Sequence, residues 1–343
     1  MKYTLEKLLS GHSLTTAEAA EAMGSLMDGA VPPVQIGAFL TALRIKGETV
    51  DEITGFAEAM RARSLRVTTH RSPLVDTCGT GGDTIKTFNI STTAAFVVAA
   101  AGVPVAKHGN RSVTSKCGSA DVLEALGVRL DLVPEAVGHC IDEIGIGFLF
   151  ARSHHPAMKY AAPVRAELGF RTVFNLLGPL TNPAGATRQV IGVYDAALCE
   201  PLAQVLGKLG AERALVVHGE PGMDEISTLG TSVVAELRDG KVTSYVLTPA
   251  ELGLSVAVRE SLIGEETPEA NAAVLWSVLN GTETGARREI VLANAAAALY
   301  VAGVVESLVE GVDRARTVLE SGAAAAQVEK FVSFTQQLAE ATA

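Results

Sequence analysis

Cysteine is scarce in this sequence, with four residues among 343. The four form no CxxC pair, and their spacings fit no zinc-binding pattern. We therefore predict no zinc site, and a reduced, cytoplasmic location is the expectation. The four thiols, for which we predict a packing role, are Cys78, Cys117, Cys140 and Cys199.

Positive charge is also in short supply. Lysine and arginine number 28 against 38 acidic residues, which gives a formal net charge of −10. Such a chain is a poor general binder of nucleic acid, because attraction to phosphates needs a broad basic field. We predict no nucleic-acid partner, and any anionic ligand must be held by a local site.

Long apolar runs are the third absence. No run is long enough to span a bilayer, and no charged-then-apolar signal opens the chain, so we predict no membrane partner. Apolar residues nevertheless make up 48% of the sequence, which predicts a sizeable core.

The pattern of elements changes character once along the chain. Residues 1–62 read as four short helices with no strand-like alternation. Strands and helices alternate from about residue 69, which indicates βαβ units and a parallel sheet. The predicted fold class is α/β, with a small helical domain and a larger α/β domain around a mostly parallel central sheet. We assign 1–68 to the helical domain, completed by a helical insert at 156–181, and 69–343 to the α/β domain.

Individual elements follow from the same patterns. Strands are predicted at "PLVDTCG", "VPVAKHG", 145–151, 188–195 and 213–218, and helices at "STTAAFVVAAAG", 120–127, 197–209, 268–280, 286–303 and 311–340. A hairpin is predicted in "VVAELRDGKVTSYVL", because Asp239-Gly240 is a strong turn signal. Ligands of such sheets bind at the carboxyl ends of the strands, where the following loops meet.

The first of these loops is "DTCGTGGDTIKTFNIST", residues 76–92. Its glycines let backbone amides approach a ligand, but their spacing is neither GxGxxG nor a Walker motif. A tight strand-to-helix turn is the alternative interpretation. Asn89, Ser91 and Thr92 open the next helix, and a helix N-terminus favours anions. The combination favours a phosphate or pyrophosphate site.

The second loop gathers cations and hydroxyls between two apolar elements. Lys107 stands where the predicted strand ends and is expected to point into the crevice, while Arg111 and Lys116 either do the same or face solvent. Asn110 can both donate and accept hydrogen bonds. Ser119 is the predicted N-cap of the next helix.

The third loop, "HGEPGMDEIS", carries the adjacent acids Asp224 and Glu225. In a turn both carboxylates can converge on one hard cation, and Mg²⁺ prefers few carboxylates together with waters and ligand phosphates. A solvated acidic turn is the alternative. The position after a strand of the same sheet favours the metal interpretation.

The segment 151–183, which contains the helical insert, carries His154, His155 and Arg165. Adjacent histidines do not suit a helical zinc face. A guanidinium matches a carboxylate in a bidentate manner, so Arg165 is a candidate for binding an acidic substrate. The alternative is a surface ion pair with Glu167 or another acid.

Taken together, the segments "GTGGD", "NIST", "KHGNRS", "GSADVLEALG", "RTVFNLLGPLTNP" and "MDEIS" resemble the anthranilate phosphoribosyltransferase family, in the family's order and over about residues 5–340. The resemblance implies the fold of nucleoside phosphorylases, and usually a homodimer through the helical part. It also implies transfer of phosphoribosyl from 5-phosphoribosyl 1-pyrophosphate to the amino group of anthranilate in tryptophan biosynthesis, with Mg²⁺. No catalytic base is implied, because breaking the bond at ribose C1 mainly needs stabilisation of the leaving charge.

The resemblance also implies site residues, position by position. We call 5-phosphoribosyl 1-pyrophosphate the donor. The positions implied to bind the donor are Gly79, Gly82, Asp83, Thr87, Asn89, Ile90, Ser91, Thr92, Lys107, His108, Gly109, Asn110, Arg111, Ser112, Val113, Thr114, Ser115 and Ser119. Anthranilate-binding positions are Gly79, Asn110 and Arg165, and the metal ligands are Ser91, Asp224 and Glu225. Two positions depart from the family pattern: Thr84 stands where glycine is common, and Cys117 where serine is more usual.

Two other functions share this fold. A nucleoside phosphorylase binds phosphate and a nucleoside, and phosphorolysis without Mg²⁺ would favour it. A non-catalytic nucleic-acid binder of the same fold is disfavoured by the net charge, and a salt-sensitive DNA shift would favour it.

Overall fold

The structure is a computed structural model that describes residues 1–112 and 116–342. The first part is helical, as its periodicity predicted. Its helices are α1 (Lys2–Leu9), α2 (Thr16–Met27), α3 (Pro33–Lys46) and α4 (Val50–Ala62). Capping boxes fix two of the starts, because Thr15 pairs with Glu18 and Thr49 pairs with Glu52.

The remaining chain forms a seven-stranded sheet with helices on its faces. The strands are β1 (Val75–Gly79), β2 (Val105–Gly109), β3 (Ile146–Phe150), β4 (Arg188–Gly192), β5 (Arg213–Gly219), β6 (Ser232–Arg238) and β7 (Lys241–Leu247). Their order is β3-β2-β1-β4-β5-β6-β7. The pairs up to β5 are parallel, and β6 and β7 add an antiparallel hairpin. Asp239 and Gly240 turn the hairpin with positive φ, as predicted.

The helices of this part alternate with the strands. They are α5 (Ile90–Ala100), α6 (Ser119–Ala125), α7 (Pro134–Ile144), α8 (Ala151–His154), α9 (Ala162–Leu168), α10 (Phe174–Leu180), α11 (Cys199–Lys208), α12 (Pro268–Leu279), α13 (Ala286–Ala302), α14 (Leu308–Glu320) and α15 (Ala323–Thr342). None of the helices in the described ranges is long and apolar enough to cross a membrane.

Two apolar cores lie on opposite sides of the sheet. One gathers α5, α6, α7 and the C-terminal helices. The other joins α1–α4 to α9, α10, α11 and the outward faces of β4 and β5. Phe39 of α3 and Phe56 of α4 meet edge to face within it, with ring centroids 5.7 Å apart. The helical insert thus shares its core with the N-terminal helices.

Three local predictions were wrong. Helix α6 is capped by Gly118, whose N–H donates to Asp121 Oδ2 at 2.8 Å, so Ser119 is its first residue and not its N-cap. Helix α7 has no counterpart among the predicted elements. The predicted helix 311–340 is two helices, because the chain turns at Ser321 and at Gly322, which has φ 75°.

Candidate active site

The loops that follow β1, β2 and β5 lie at one edge of the sheet. Strand β1 pairs in parallel with β2 and β4, and β4 pairs in parallel with β5, so the carboxyl ends of all four strands share that edge. The glycine-rich segment, the cationic segment and the acidic pair therefore meet in space, although up to about 150 residues separate them in the sequence.

The loop after β1, residues 80–88, which we call the glycine loop, is organised by Asp83. Its Oδ1 accepts from the N–H of Ile85 at 2.6 Å, and its Oδ2 accepts from the N–H and hydroxyl of Thr87 at 2.8 and 2.7 Å. Gly81 and Gly82 have φ of 69° and 90°. Asp83 and Thr87, both predicted donor contacts, therefore bond to each other within the loop in this structure.

Thr84, at one of the two positions where the resemblance implies another residue, ties the glycine loop to the loop of residues 218–227, which we call the acidic loop. Its hydroxyl donates to the carbonyls of Pro221 and Gly222 at 3.2 Å each, and its N–H donates to the Gly222 carbonyl at 3.0 Å. A glycine at position 84 would lack the hydroxyl bonds. This chain therefore has an additional connection between the two loops.

The acidic pair bonds directly to the glycine loop and to the start of α5. Asp224 Oδ2 accepts from the N–H of Gly81 at 2.8 Å, and Glu225 Oε1 accepts from the N–H of Ser91 at 3.0 Å. A free N–H in the first turn of a helix is a natural anion donor, and here it holds a carboxylate. The acidic pair is thus joined to the glycine loop and to α5 by hydrogen bonds to carboxylates.

The acidic pair sits close against two glycines. A Cβ built on Gly79 would stand 2.3 Å from Asp224 Oδ2, and one built on Gly192 would stand 1.6 Å from the Asp224 carbonyl oxygen. Gly192 ends β4 and is a position that the sequence reasoning missed. The signal was a strand ending in glycine at the ligand-binding edge.

The carboxyl groups of Asp224 and Glu225 both have raised pKa values, so it is unfavourable for both to be ionised at once. Burial, followed by the charge of Asp224, raises the pKa of Glu225 to about 8. Burial and the nearby charge of Asp83 raise the pKa of Asp224. Two half-buried carboxylates side by side need a cation to hold both charges. A cavity of about 10 Å³ beneath them is lined by Asp224, Glu225, Ser91 and Asn294, with other residues.

Oxygen donors of this kind suit Mg²⁺, which takes few protein carboxylates and completes its shell with waters and phosphates. Within the described ranges, no three or more His, Cys, Asp or Glu side chains gather as a metal-holding group. The donor set at the acidic pair therefore fits Mg²⁺ bound jointly with a phosphate ligand, and does not fit a closed zinc site.

Lys107 lies below this edge and not at the strand end. It is 3% exposed within β2, and its ammonium donates to the Thr77 carbonyl of β1. Burial raises the pKa of Asp76 to about 6 and that of Glu225 to about 8, and the positive charge of Lys107 offsets part of each rise. In this structure Lys107 is a buried counter-charge to the carboxylates under the site.

In the loop after β2, residues 110–118, which we call the cationic loop, Arg111 forms ion pairs with acids of this protein. The Arg111 guanidinium binds Asp121 at 2.9 Å and Glu124 at 2.7 Å. Asn110 accepts from the Arg111 N–H through its Oδ1 at 2.8 Å and exchanges bonds with the Ser119 hydroxyl at 3.2 Å. The predicted contacts Val113, Thr114 and Ser115 lie outside the described residues.

Asn89 connects the cationic loop to α5. Its Nδ2 donates to the Cys117 carbonyl at 3.2 Å, whereas its Oδ1 is buried and has no hydrogen-bond partner among the described residues. It stands at the N-cap of α5 without capping the helix through its side chain. A buried acceptor without a partner beside a helix start is a position at which a polar ligand group gains a hydrogen bond.

Arg165 makes no ion pair among the residues that the structure describes. Its guanidinium lies 5.2 Å from the centroid of the Phe174 ring, and burial lowers its pKa. The alternative ion pair with Glu167 is therefore wrong in this structure. A half-buried guanidinium on an aromatic ring, with no carboxylate beside it, is suited to bind one from a ligand.

A buried polar hub that the sequence reasoning missed attaches the helical insert to the sheet. Asp76 accepts from the His108 N–H at 3.0 Å and from Asn182 Nδ2 at 2.7 Å. His108 Nδ1 pairs with the Gly178 carbonyl of α10 at 3.0 Å. The signal was an aspartate inside an apolar strand, since buried carboxylates are rare unless they are hydrogen-bonded.

Comparison with known proteins finds relatives of this chain over nearly its full length. The glycosyl transferase family a/b domain matches residues 71–325, and the helical bundle domain of that family matches residues 2–64. An anthranilate phosphoribosyltransferase of Symbiobacterium thermophilum is 58% identical over 98% of each chain.

Solved structures agree with the sequence relatives. The crystal structure of the anthranilate phosphoribosyltransferase (TrpD) of Thermus thermophilus has 51% identity and a TM-score of 0.92, covering 97% of this chain and 99% of its own. The Saccharomyces cerevisiae enzyme in complex with PRPP and Mg has 27% identity and a TM-score of 0.88, covering 98% and 97%. With this fold, these loops and relatives that match it from end to end, the chain belongs to the anthranilate phosphoribosyltransferase family.

Proposed function

We propose that this chain transfers the phosphoribosyl group from 5-phosphoribosyl 1-pyrophosphate to the amino group of anthranilate, giving N-(5-phosphoribosyl)anthranilate and pyrophosphate, a step of tryptophan biosynthesis. One observation carries the proposal. Asp224 and Glu225 bond to the glycine loop and to the start of α5, so a metal held by these acids would lie beside a helix start, which favours phosphate.

The metal in this proposal is Mg²⁺, held by Asp224, Glu225 and Ser91. The yeast relative was solved with PRPP and Mg, which supports the choice of ion. When bound, Mg²⁺ offsets the charge of the departing pyrophosphate. The protein's own part is to hold the two carboxylates in place through the Gly81 and Ser91 amides.

The donor cradle comprises the predicted donor-binding positions of the glycine loop, the start of α5 and the cationic loop. The acids of the cradle and the pyrophosphate of the donor are both negatively charged, so the cradle requires a cation. Asp83, Asp224 and Glu225 would repel a pyrophosphate, so a bound cation is needed to make the cradle attractive. Lys107 adds a buried positive charge from below.

Gly79, Asn110 and Arg165 form the acceptor side of the proposal. Arg165 would bind the anthranilate carboxylate, since it has no internal acid partner among the described residues and a planar fork of donors. The yeast relative was also solved in complex with 4-fluoroanthranilate. An arginine that fixes the carboxylate orients the amine toward the sugar, and orientation is the main need of a weakly basic aromatic amine.

No general base takes part in this proposal. Cleavage at ribose C1 develops positive charge on the sugar and negative charge on the leaving pyrophosphate, so fixed charges and amide donors do the work. We also propose a cytoplasmic homodimer, and a helical domain of 1–68 completed by 156–181. The shared core of α1–α4 with α9 and α10 supports that domain division.

A fluorescence assay tests the proposal. Anthranilate fluorescence should fall only when the protein, phosphoribosyl pyrophosphate and Mg²⁺ are all present, and excess chelator should stop the reaction. Consumption of a nucleoside with phosphate in the absence of Mg²⁺ would instead establish a nucleoside phosphorylase. No loss of fluorescence in the complete mixture would overturn the proposed function.

A further inference from the structure

A segment outside the predicted site lies against the glycine loop. We call residues 259–266 the strap; it follows the hairpin β6–β7 and precedes α12. It opens with a 3₁₀ turn, Arg259–Leu262, and Ile263 then forms an antiparallel bridge with Thr87. Leu262 is fully buried. The strap therefore pairs with the glycine loop like a short additional strand.

The pairing is backbone to backbone. The Phe88 N–H donates to the Leu262 carbonyl at 3.3 Å, and the Gly264 N–H donates to the Lys86 carbonyl at 2.9 Å. A Cβ built on Gly264 would stand 2.9 Å from the Thr87 carbonyl oxygen. Only a residue without a side chain fits there without displacing the loop.

The strap supports the part of the glycine loop that is least favourable by itself. Lys86 has φ 61°, in the left-handed region that residues with side chains rarely adopt. Its carbonyl is the acceptor for Gly264, and an Arg259 Nη2 donates to the Thr84 carbonyl at 3.4 Å. The loop conformation thus depends on partners outside the loop.

One guanidinium holds the strap in place. Arg287 donates from Nε to the Ser261 carbonyl at 3.1 Å, and from Nη2 to the Ile263 carbonyl at 3.0 Å and Glu265 Oε1 at 2.9 Å. The same guanidinium lies 5.9 Å from the centroid of the Phe88 ring of the glycine loop. A single side chain therefore contacts both the strap and the loop.

The position of Arg287 in its own helix does not explain why an arginine stands there. It lies in the first turn of α13, where the helix dipole disfavours a cation. The far end of the strap is fixed separately, because Asn271 exchanges hydrogen bonds with the backbone of Glu265 at 3.0 and 2.9 Å. The strap is thus fastened to α12 and α13, and the glycine loop pairs with it.

From this arrangement we propose that Arg287 is a positioning residue for the donor. Through the strap it holds the glycine loop in the conformation that binds phosphoribosyl pyrophosphate. The inference rests on the proposed function. Because the contacts of Arg287 lie on the strap and Phe88, it acts on donor binding and leaves the acceptor side at Arg165 unchanged.

The test compares Arg287→Ala with Arg288→Ala in the full chain. Arg288 is the next residue of α13, has a similarly covered side chain (18% against 21% exposed) and binds Glu320 at 2.8 Å, away from the strap. Arg287→Ala should speed amide hydrogen exchange in 84–88 and raise the donor KM about tenfold, with the anthranilate KM within about twofold of wild type. Arg288→Ala should change neither.

Arg287→Lys is the second variant. It keeps the positive charge, and it tests the proposal if the alanine variant fails to fold. One ammonium cannot reproduce a guanidinium fork that binds three groups, so the lysine variant should restore only part of donor binding. Wild-type donor KM in Arg287→Lys, or an equal rise of both KM values in Arg287→Ala, would overturn the proposal. Faster exchange with an unchanged donor KM would overturn it as well.

Failure of the proposed function has a different signature. If the wild-type protein leaves anthranilate unchanged, the proposed reaction is wrong. Amide hydrogen exchange in 84–88 and calorimetric titration with Mg²⁺ and phosphoribosyl pyrophosphate still test whether the strap positions the glycine loop. Donor affinity that is equal in wild type and Arg287→Ala in that titration overturns the role of Arg287.

Discussion

The carbonyl oxygen of Asp224 occupies the space in which a side chain at Gly192 would begin. A Cβ at position 192 would stand 1.6 Å from that oxygen, and the conflict is with backbone, which cannot rotate away. The end of β4 thus sets how closely the acidic loop approaches β1. The first prediction follows from this contact.

Gly192→Ala should displace the acidic loop and lower kcat/KM by at least about a hundredfold, because a shift of about 1 Å at a site of this kind has that scale of effect. Gly178→Ala is the matched control, since nothing lies within 4 Å of a Cβ at that position. The measurement is kcat/KM at saturating Mg²⁺. Activity near wild type in Gly192→Ala would show that the acidic loop tolerates the shift.

The second prediction concerns pH and Glu225. Its pKa is raised to about 8 in the folded chain from an ordinary value of 4.5, so the folded state binds the proton more tightly than the unfolded state. The contribution of Glu225 to the free energy of unfolding is therefore greatest below pH 4.5 and is lost as pH rises to about 8. Without Mg²⁺, Glu225→Gln should flatten this fall in urea titrations.

Glu329, exposed on α15, provides the control for that experiment. Glu329→Gln should leave the pH dependence of the urea midpoint as in wild type. If Glu225→Gln and wild type lose stability in parallel between pH 5 and pH 8, the Glu225 carboxyl is not the group that titrates there.

The third prediction concerns Lys107, which we place in the donor cradle although it is buried against Thr77. Lys107→Ala should weaken donor binding about tenfold or more, through loss of the buried positive charge beneath the anionic ligand. It should also lower the free energy of unfolding by about 1–3 kcal/mol, because the Thr77 carbonyl loses its donor. The stability loss should grow from pH 5 to pH 8, as Asp76 and Glu225 ionise without their counter-charge.

Calorimetry with the donor and urea titrations measure these two effects separately. Lys116→Ala is the control, since Lys116 makes an exposed ion pair with Glu266 that contributes little. Unchanged donor affinity in Lys107→Ala, combined with reduced stability, would make Lys107 a structural residue only.

The fourth prediction concerns Arg165. Arg165→Ala should raise the anthranilate KM by about tenfold or more, because a charge-assisted bond to the carboxylate is lost, and should leave donor affinity nearly unchanged. Arg152→Ala is the control for loss of a surface charge, because Arg152 is exposed and lies in α8, directly after β3. Each substrate is titrated separately. Weaker donor binding with an unchanged anthranilate KM would reverse the assignment of the two sides.

The sequence by itself determined most of the elements and their order, although α7 was missed and residues 311–340 were predicted as one helix. Thr15 and Thr49 are followed by glutamates at the capping-box spacing, and Asp239-Gly240 permits the positive φ of the hairpin turn. These signals are local, because each depends on residues a few positions apart. The sheet edge at which the three loops meet also followed, since strand-helix alternation restricts the topology.

Only the tertiary structure decided which of the loop residues face a ligand and which are used internally. Arg111 is neutralised by Asp121 and Glu124, while Arg165 lies against an aromatic ring and pairs with no acid in the described ranges, although both are arginines in polar segments. The contacts of Asp224 with Gly192 and of Arg287 with the strap join residues tens of positions apart. Such contacts are fixed by the packing of whole elements, because no local spacing encodes the distance between two loops from different strands.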